Sequence, residues 1–258
     1  MPVLASWNVN SVKARLPNIL SWLEREQPDI VGLQELKCLE DSFPALDFRS
    51  AGYETAAVGQ KSYNGVALLA KSAIKVTERA LPGNDDDAEA RYIEADIDGL
   101  RIGNLYLPNG NGAAERFSYK IDWMRRLRAH AAALFDAEIP FALIGDYNVI
   151  PEEEDCYDPG AWRDDALFQP EARQEFQGLL NLGLTDAFRT LHSGEGHYTF
   201  WDYQGGMWQR DEGIRIDHIV LSPELADRLT GCRIDRTPRG QEKASDHTPI
   251  LCSLAASG

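Results

Sequence analysis

The chain has 258 residues, 43% of them hydrophobic and 26% charged, enough for one large core or two small domains. Its formal net charge of −15 excludes a protein that grips polyanions nonspecifically through an overall basic surface. No apolar run reaches the length of a membrane span, and the cysteines Cys38, Cys156, Cys232 and Cys252 form no CxxC pair.

Reduced structural thiols are therefore expected, not a disulfide framework or a zinc site. The N-terminus lacks a basic n-region, and Asn8 and Asn10 interrupt its apolar start. The expectation is a cytoplasmic protein without a signal peptide. Acid is concentrated in Asp85-Asp86-Asp87 and in Glu152-Glu153-Glu154-Asp155.

In chain order, Val3 to Asn8 predicts a first strand ending in Asn8, and Asn10 to Arg15 a polar loop. Ile19, Leu20 and Leu23 give a helix from Pro17 to Glu26, stopped by Pro28. Ile30 to Glu35 is the next strand, again ending in a carboxylate, and 41–50 is an irregular connection. Tyr53 to Val58, Gly65 to Ala70 and Ala73 to Glu78 suit antiparallel strands, with Ser62 to Gly65 as a turn. Gly83 to Ala88 is an acidic loop. Asp98-Gly99 between Arg91–Ile97 and Leu100–Leu107 is a strong hairpin signal. Glu115 to Leu134 is the longest helical pattern, with Arg125, Arg126 and Arg128 read as a solvated face.

Phe141 to Gly145 is an apolar run that delivers Asp146 and Asn148 two residues apart, on one side if the strand continues. A loop runs from Pro151 to Pro170, and Arg173 to Leu182 is a helix closed by Gly183. Thr185 to Arg189 begins a turn or short helix. Tyr198 to Trp201 precedes an aromatic, Gly-containing loop over Tyr203 to Gly213. Ile214 to Leu221 is a strand carrying Asp217 and His218, Cys232 to Arg236 a further one, and Ser245 to Cys252 leads into the last. With no linker and no composition shift, one domain over 1–258 is expected, as sheets packed together with helices outside.

Apolar strands thus end in, or contain, Asn8, Glu35, Tyr106, Asp146 with Asn148, Asp217, and Asp246 with His247. Stacked sheets would bring these ends to one rim. The set is rich in oxygen, lacks Cys and has one well-placed His, which points to Mg²⁺ or Mn²⁺ rather than zinc. A hard cation among carboxylates and amides suits phosphoryl-transfer chemistry. Asp217 inside an apolar strand requires a partner. His218 faces the other side of that strand and reads as structural, and His130, His192 and His197 have no supporting context.

Six motifs then occur in order: Trp7 to Arg15, Leu33 to Lys37, Tyr106 to Gly110, Gly145 to Asn148, Arg215 to Asp217 and Ser245 to His247. Together they resemble the exonuclease III family of DNA repair nucleases, in the endonuclease/exonuclease/phosphatase superfamily, over essentially the whole chain. The resemblance implies a four-layer αββα sandwich of two mixed, largely antiparallel sheets, with the site at one rim. It implies that Glu35 is the principal metal carboxylate, with Asn8, Asp146, Asn148 and Asp246 in the metal region. Asp146 orients or deprotonates the attacking water, helped by Asn148. His247 meets the scissile phosphate, Asp217 orients it, and Tyr106 lies near the phosphate and leaving oxygen.

DNA contact is expected from Asn10, Lys13, Arg15, Lys37 and Asn109. Phe200 and Ile214 fall where the family builds a pocket for a flipped-out abasic sugar, and Trp208 in its loop is expected to insert beside the extruded nucleotide. The expected activity is Mg²⁺-dependent cleavage 5′ to abasic sites and removal of 3′-terminal nucleotides or blocking groups from duplex DNA. The expected protein is monomeric and cytoplasmic, on the nucleoid if bacterial. The alternatives are a phosphoesterase of the same superfamily acting on non-nucleic substrates and a non-catalytic RNA-binding regulator of the same fold.

Overall fold

The computed structural model describes residues 1–256. The single-domain expectation over 1–258 extends to 257–258, which lie outside the described residues. Twelve strands form two six-stranded sheets. They are β1 (Val3–Asn8), β2 (Ile30–Gln34), β3 (Glu54–Val58), β4 (Val66–Ala70), β5 (Lys75–Glu78), β6 (Tyr92–Ile97), β7 (Leu100–Tyr106), β8 (Phe141–Asp146), β9 (Thr185–Asp186), β10 (Asp217–Leu221), β11 (Leu229–Ile234) and β12 (Ile250–Leu254). The orders are β11-β12-β1-β2-β4-β3 and β5-β6-β7-β8-β10-β9. Each sheet holds one parallel pair, β1 with β2 and β7 with β8, and its other pairs are antiparallel.

The helices are α1 (Val12–Glu26), α2 (Ala45–Ser50), α3 (Ala114–Asp136), α4 (Pro159–Trp162), α5 (Pro170–Leu180), α6 (Ala187–Leu191), α7 (Met207–Arg210) and α8 (Pro223–Ala226). The parallel pairs require crossovers, which α1 and α3 supply. Strand alternation divides the core. Leu4, Leu68 and Ile144 point between the sheets. Ala5, Trp7 and Leu69 point outward under Ile19, Trp22 and Phe48 of α1 and α2. Leu143 and Phe141 point outward under Trp123, Met124 and Phe176 of α3 and α5. The result is the expected αββα layering. Among the described residues, no helix is long and apolar enough to cross a membrane.

A polar bridge crosses the otherwise apolar space between the sheets. Asn104 of β7 donates through Nδ2 to the Leu33 and Ala67 carbonyls of the facing sheet, at 3.0 and 2.8 Å. Its Oδ1 accepts from Gln34 Nε2 at 2.7 Å. Gly32 leaves room for it, since a Cβ there would lie 2.7 Å from Asn104 Oδ1. These directional bonds fix one stacking of sheet on sheet.

Several boundaries differ from the sequence reading. Ser11 caps α1 through its side chain, so the helix begins at Val12 and places Lys13 and Arg15 on its first turns. Pro17 lies inside α1 and does not start it. The segment 41–50 contains α2, where Phe48 is buried. The strand expected from Ile214 begins at Asp217. Arg126 is not on a solvated face: it pairs with Asp87 and ties the acidic loop to α3. All four cysteines are free and buried, as expected.

Candidate active site

Asn8 ends β1, Glu35 directly follows β2, Asp146 ends β8 and Asp217 begins β10. Register sets the rest. Asp146 stands opposite Tyr106 on the parallel neighbour β7 and opposite Asp217 on the antiparallel neighbour β10. Opposed residues in a sheet share a face, so Tyr106, Asp146 and Asp217 form one row. The other sheet brings Glu35 and Asn8 to meet them. Asn8 Nδ2 donates to Glu35 Oε1 at 2.8 Å and to Asp146 Oδ2 at 2.9 Å, joining the sheets at the rim.

His247 arrives from the segment before β12. Its Nδ1 lies 2.8 Å from Asp217 Oδ2, and its Nε2 lies 3.7 Å from Asp146 Oδ2. Trp7 Nε1 donates to the His247 carbonyl at 3.2 Å and holds its backbone. One ligand atom each from Glu35, Asp146 and His247 lies within 4.8 Å of the others.

Asp146 and Asn148 do come together, but not through continued strand alternation. The strand stops at Asp146, and Asn148 adopts φ 46°. Its backbone N–H donates to Asp146 Oδ1 at 2.8 Å, a side-chain turn that folds the amide back over the carboxylate. Gly145 is required before it, because a Cβ there would lie 2.0 Å from the Leu105 carbonyl oxygen. Glu35 and Lys37 also have positive φ, 53° each, so left-handed backbone recurs in these rim loops.

A match to the endonuclease/exonuclease/phosphatase family spans residues 5–247, from the first strand to His247. The chain belongs to this family. Its relatives include exodeoxyribonuclease III of Haemophilus influenzae, 34% identical over 95% of this chain and 97% of the relative. The DNA repair nuclease APEX1 of Danio rerio is 35% identical over 98% of this chain and 82% of its own length. Among solved structures, the 3′ phosphatase NExo from Neisseria, bound to a product DNA hairpin, superposes with a TM-score of 0.95 at 38% identity. That match covers 99% of this chain and 100% of the other. An AP endonuclease from Archaeoglobus fulgidus gives 0.95 at 35%, with the same coverage. The chain is thus a family member of the exonuclease III kind, as the motifs implied.

Charge at this family site is sharply partitioned. Burial pushes the Asp146 carboxyl up to about 7, against His247, with Asp217 pushing the same way. Burial lowers His247, but Asp217 and then Asp146 outweigh it and hold the imidazolium to about 10. The proton of the group therefore resides on His247. Burial raises Glu35, yet Lys37 at 2.8 Å and then Asn8 keep it below the ordinary carboxylate value. Burial, with Glu35 and Asp146, pushes the Tyr106 hydroxyl well above 10, so it stays protonated. Two carboxylates, one of them buried and deprived of water, present oxygen to the same small space. That donor set fits a small hard cation.

The remaining expected residues fall at graded distances from this centre. Asn10 and Lys37 are in it, since Lys37 Nζ reaches Asn10 Oδ1. Asn109 Nδ2 donates to Asn148 Oδ1 at 3.3 Å. Asp246 lies just outside the three-residue group, accepting from Asn10 Nδ2 at 3.0 Å. Phe200 packs edge-on against His247 at 4.9 Å between ring centroids. Ile214 has 0% exposure and sits in an apolar cluster against which Phe200 packs. Lys13 is exposed on α1, clear of the carboxylates. Trp208 stands on a short helical turn and not on irregular backbone. It lies on α7, edge-on to Trp201 at 4.9 Å and against Arg236 and Arg239. His218 is structural as read: it accepts from Arg215 at 2.9 Å and meets the Val149 carbonyl at 3.2 Å.

The sequence reading missed Lys120. It has 0% exposure, and its ammonium donates to the carbonyls of Asn109, Asn148 and Ala166 at 3.0, 2.6 and 3.1 Å. Three donors meet three acceptors, and both rim loops are tied to α3. The only sequence signal is Gly110, where a Cβ would lie 2.6 Å from the Lys120 stem.

Proposed function

We propose that this chain is a divalent-metal-dependent DNA repair hydrolase. It cuts phosphodiesters 5′ to abasic sites and removes 3′-terminal nucleotides or blocking groups from duplex DNA. The observation that carries the reading is the meeting of Glu35, Asp146 and His247 within 4.8 Å at the rim of two sheets. The relatives' names, exodeoxyribonuclease III, DNA repair nuclease and AP endonuclease, support the substrate class.

In this reading Asp146 orients and deprotonates the attacking water, and Asn148 places it. The water oxygen bonds to phosphorus as the bond to the 3′ oxygen breaks in line. His247, kept protonated by Asp217, hydrogen-bonds a phosphate oxygen as negative charge grows there. Tyr106, with its hydroxyl protonated, faces the phosphate and leaving oxygen. Lys37, Asn10 and Asn109 cradle the phosphate. Glu35 and Asp146, with Asn8, Asn148 and Asp246 around them, would hold Mg²⁺ or Mn²⁺, whose positive charge stabilises the phosphoryl transition state. The protein works as a single-domain monomer in the cytoplasm.

The test is an end-labelled duplex with one abasic site, incubated with Mg²⁺ and with chelator. Cutting at the lesion identifies the endonuclease, and a ladder from the 3′ end the exonuclease. Asp146→Asn is expected to slow either by about 10²- to 10⁴-fold. Abasic and 3′-ended duplexes that remain whole with every divalent ion would overturn the reading.

A further inference from the structure

Most arginines of this acidic chain have a carboxylate partner, and Arg236 is typical, paired with Asp211 at 2.6 Å. Among the described residues Arg15, Arg116, Arg163, Arg228 and Arg239 differ, and two of them, Arg15 and Arg239, lie together. Among the described residues, neither has a carboxylate oxygen within 4.0 Å of its guanidinium. Both lie against one side chain, Tyr203, which is 50% exposed. Arg15 Nη2 donates to the Tyr203 hydroxyl at 3.0 Å, and the Arg239 guanidinium lies 5.3 Å from the Tyr203 ring centroid.

Arg239 is the more telling of the two. It has 8% exposure, and its only side-chain hydrogen bond among the described residues is from Nη2 to the Trp201 carbonyl at 3.0 Å. Its Nε is buried without an acceptor among the described residues, and so is that of Arg15. A second aromatic face, Trp208, lies 5.4 Å from the Arg239 guanidinium. Two cations meet on one tyrosine, bonded directly to neutral groups and keeping unused donors, while Asp246 and Asp202 act on Arg239 only from beyond ion-pair distance. Such an arrangement costs stability unless an anion joins it.

The place of the pair says which anion. The Tyr203 hydroxyl is 3.3 Å from Asn10 Nδ2, Asn10 meets Lys37, and Lys37 pairs with Glu35. The cluster thus continues the catalytic rim by direct contacts. We propose that Arg15, Tyr203 and Arg239 form a second phosphate subsite, which takes a backbone phosphate of the substrate strand beside the scissile one. The proposal rests on the nuclease reading above and adds to it a positioning contact that sets strand register. Local cationic gripping also lets a chain of net charge −15 hold a polyanion.

The test measures binding of a fluorescent duplex with a recessed 3′ end, in chelator so that nothing is cut, over a KCl series. Arg239→Met is expected to weaken binding about 10- to 100-fold and to make the salt dependence shallower by about one phosphate's worth. Arg239→Lys restores the slope, because the charge returns. The thermal midpoint of Arg239→Met falls modestly, since the Trp201 carbonyl loses its donor, so the salt slope and not the midpoint carries the result. Inorganic phosphate that competes as well as a duplex of equal phosphate content would show a free-anion site and overturn the strand assignment.

An unchanged affinity and slope for Arg239→Met would also overturn the proposal. So would a lowered midpoint with an unchanged slope, which marks Arg239 as a packing strut for Trp201 and Trp208. If Arg239→Met does not fold, Arg15→Met is read by the same criteria. A parent that binds duplex with a salt slope sensitive to Arg239 but cuts nothing sinks the nuclease reading and keeps the subsite. A parent that cuts normally with a slope indifferent to Arg239 and Arg15 does the reverse.

Discussion

Replacing Asp217 by Asn keeps the shape of the side chain and removes the charge that holds a proton on His247. The two groups are buried and 2.8 Å apart. Burial lowers an imidazole, so the rise of His247 from 6.5 to about 10 measures how strongly Asp217, and then Asp146, overcome it. Each pKa unit corresponds to about 1.4 kcal/mol, which places the net preference for imidazolium at roughly 5 kcal/mol. Asp217, at 2.8 Å against 3.7 Å for Asp146, is the stronger of the two, and breaking a buried pair of this kind costs on the order of 3 kcal/mol.

The folded pKa lies above the unfolded one. This stability is therefore fully present below 6.5 and is lost as pH rises through about 10. Asp217→Asn should lower the unfolding free energy by about 3 kcal/mol at the acidic end of that window and by much less at its alkaline end. Urea unfolding of the metal-free protein at both ends reads the difference directly. The ring proton of His247, followed by NMR in chelator, should titrate far above 6.5 in the parent and much lower in the variant. An equal loss at both ends, or a parent His247 that titrates near 6.5, would refute the assignment of the proton to His247.

Divalent metal should stabilise the parent by about 2.7 kcal/mol at a hundredfold excess over its Kd, and Glu35→Gln should abolish most of that gain in a thermal melt. An undiminished gain would mean that the ion sits elsewhere. Lys120→Met strands three carbonyls, two of them on rim loops, and should cost about 2–4 kcal/mol by urea unfolding. It should also reduce kcat more than it changes KM for duplex, whereas a loss confined to stability would make Lys120 merely structural. Asn104→Leu removes the bridge between the sheets and strands the Leu33 and Ala67 carbonyls. A cost of about 2–4 kcal/mol is expected from denaturation midpoints, and a neutral result would show that apolar packing alone fixes the stacking.

Local chemistry wrote the strands and the longer helices into the sequence. Alternation and turn residues located them, as at Asp98-Gly99, because each depends on neighbours only a few residues away. The candidate rim carboxylates were also legible, because polar endings recur on one apolar strand after another, whereas a single Asp or Asn at a strand end is ordinary turn chemistry. Asp217 needed a partner to be tolerable, and His247 is that partner. Ordered motifs then supplied the family, which the match over 5–247 bears out.

What the sequence left open depends on groups distant along the chain. Ser11 outweighs Pro17 as the start of α1, and Asn148 turns back on Asp146, because capping and side-chain turns override periodicity. Trp208 was read on an irregular loop, yet it lies on α7 against Trp201 and two arginines. Lys120, Asn104, and the pairing of Arg15 with Arg239 across Tyr203 gave no usable local signal. A residue's type and spacing fix which backbone shape it favours, but whether a buried charge or amide finds its partner is decided only when the two sheets close over one another.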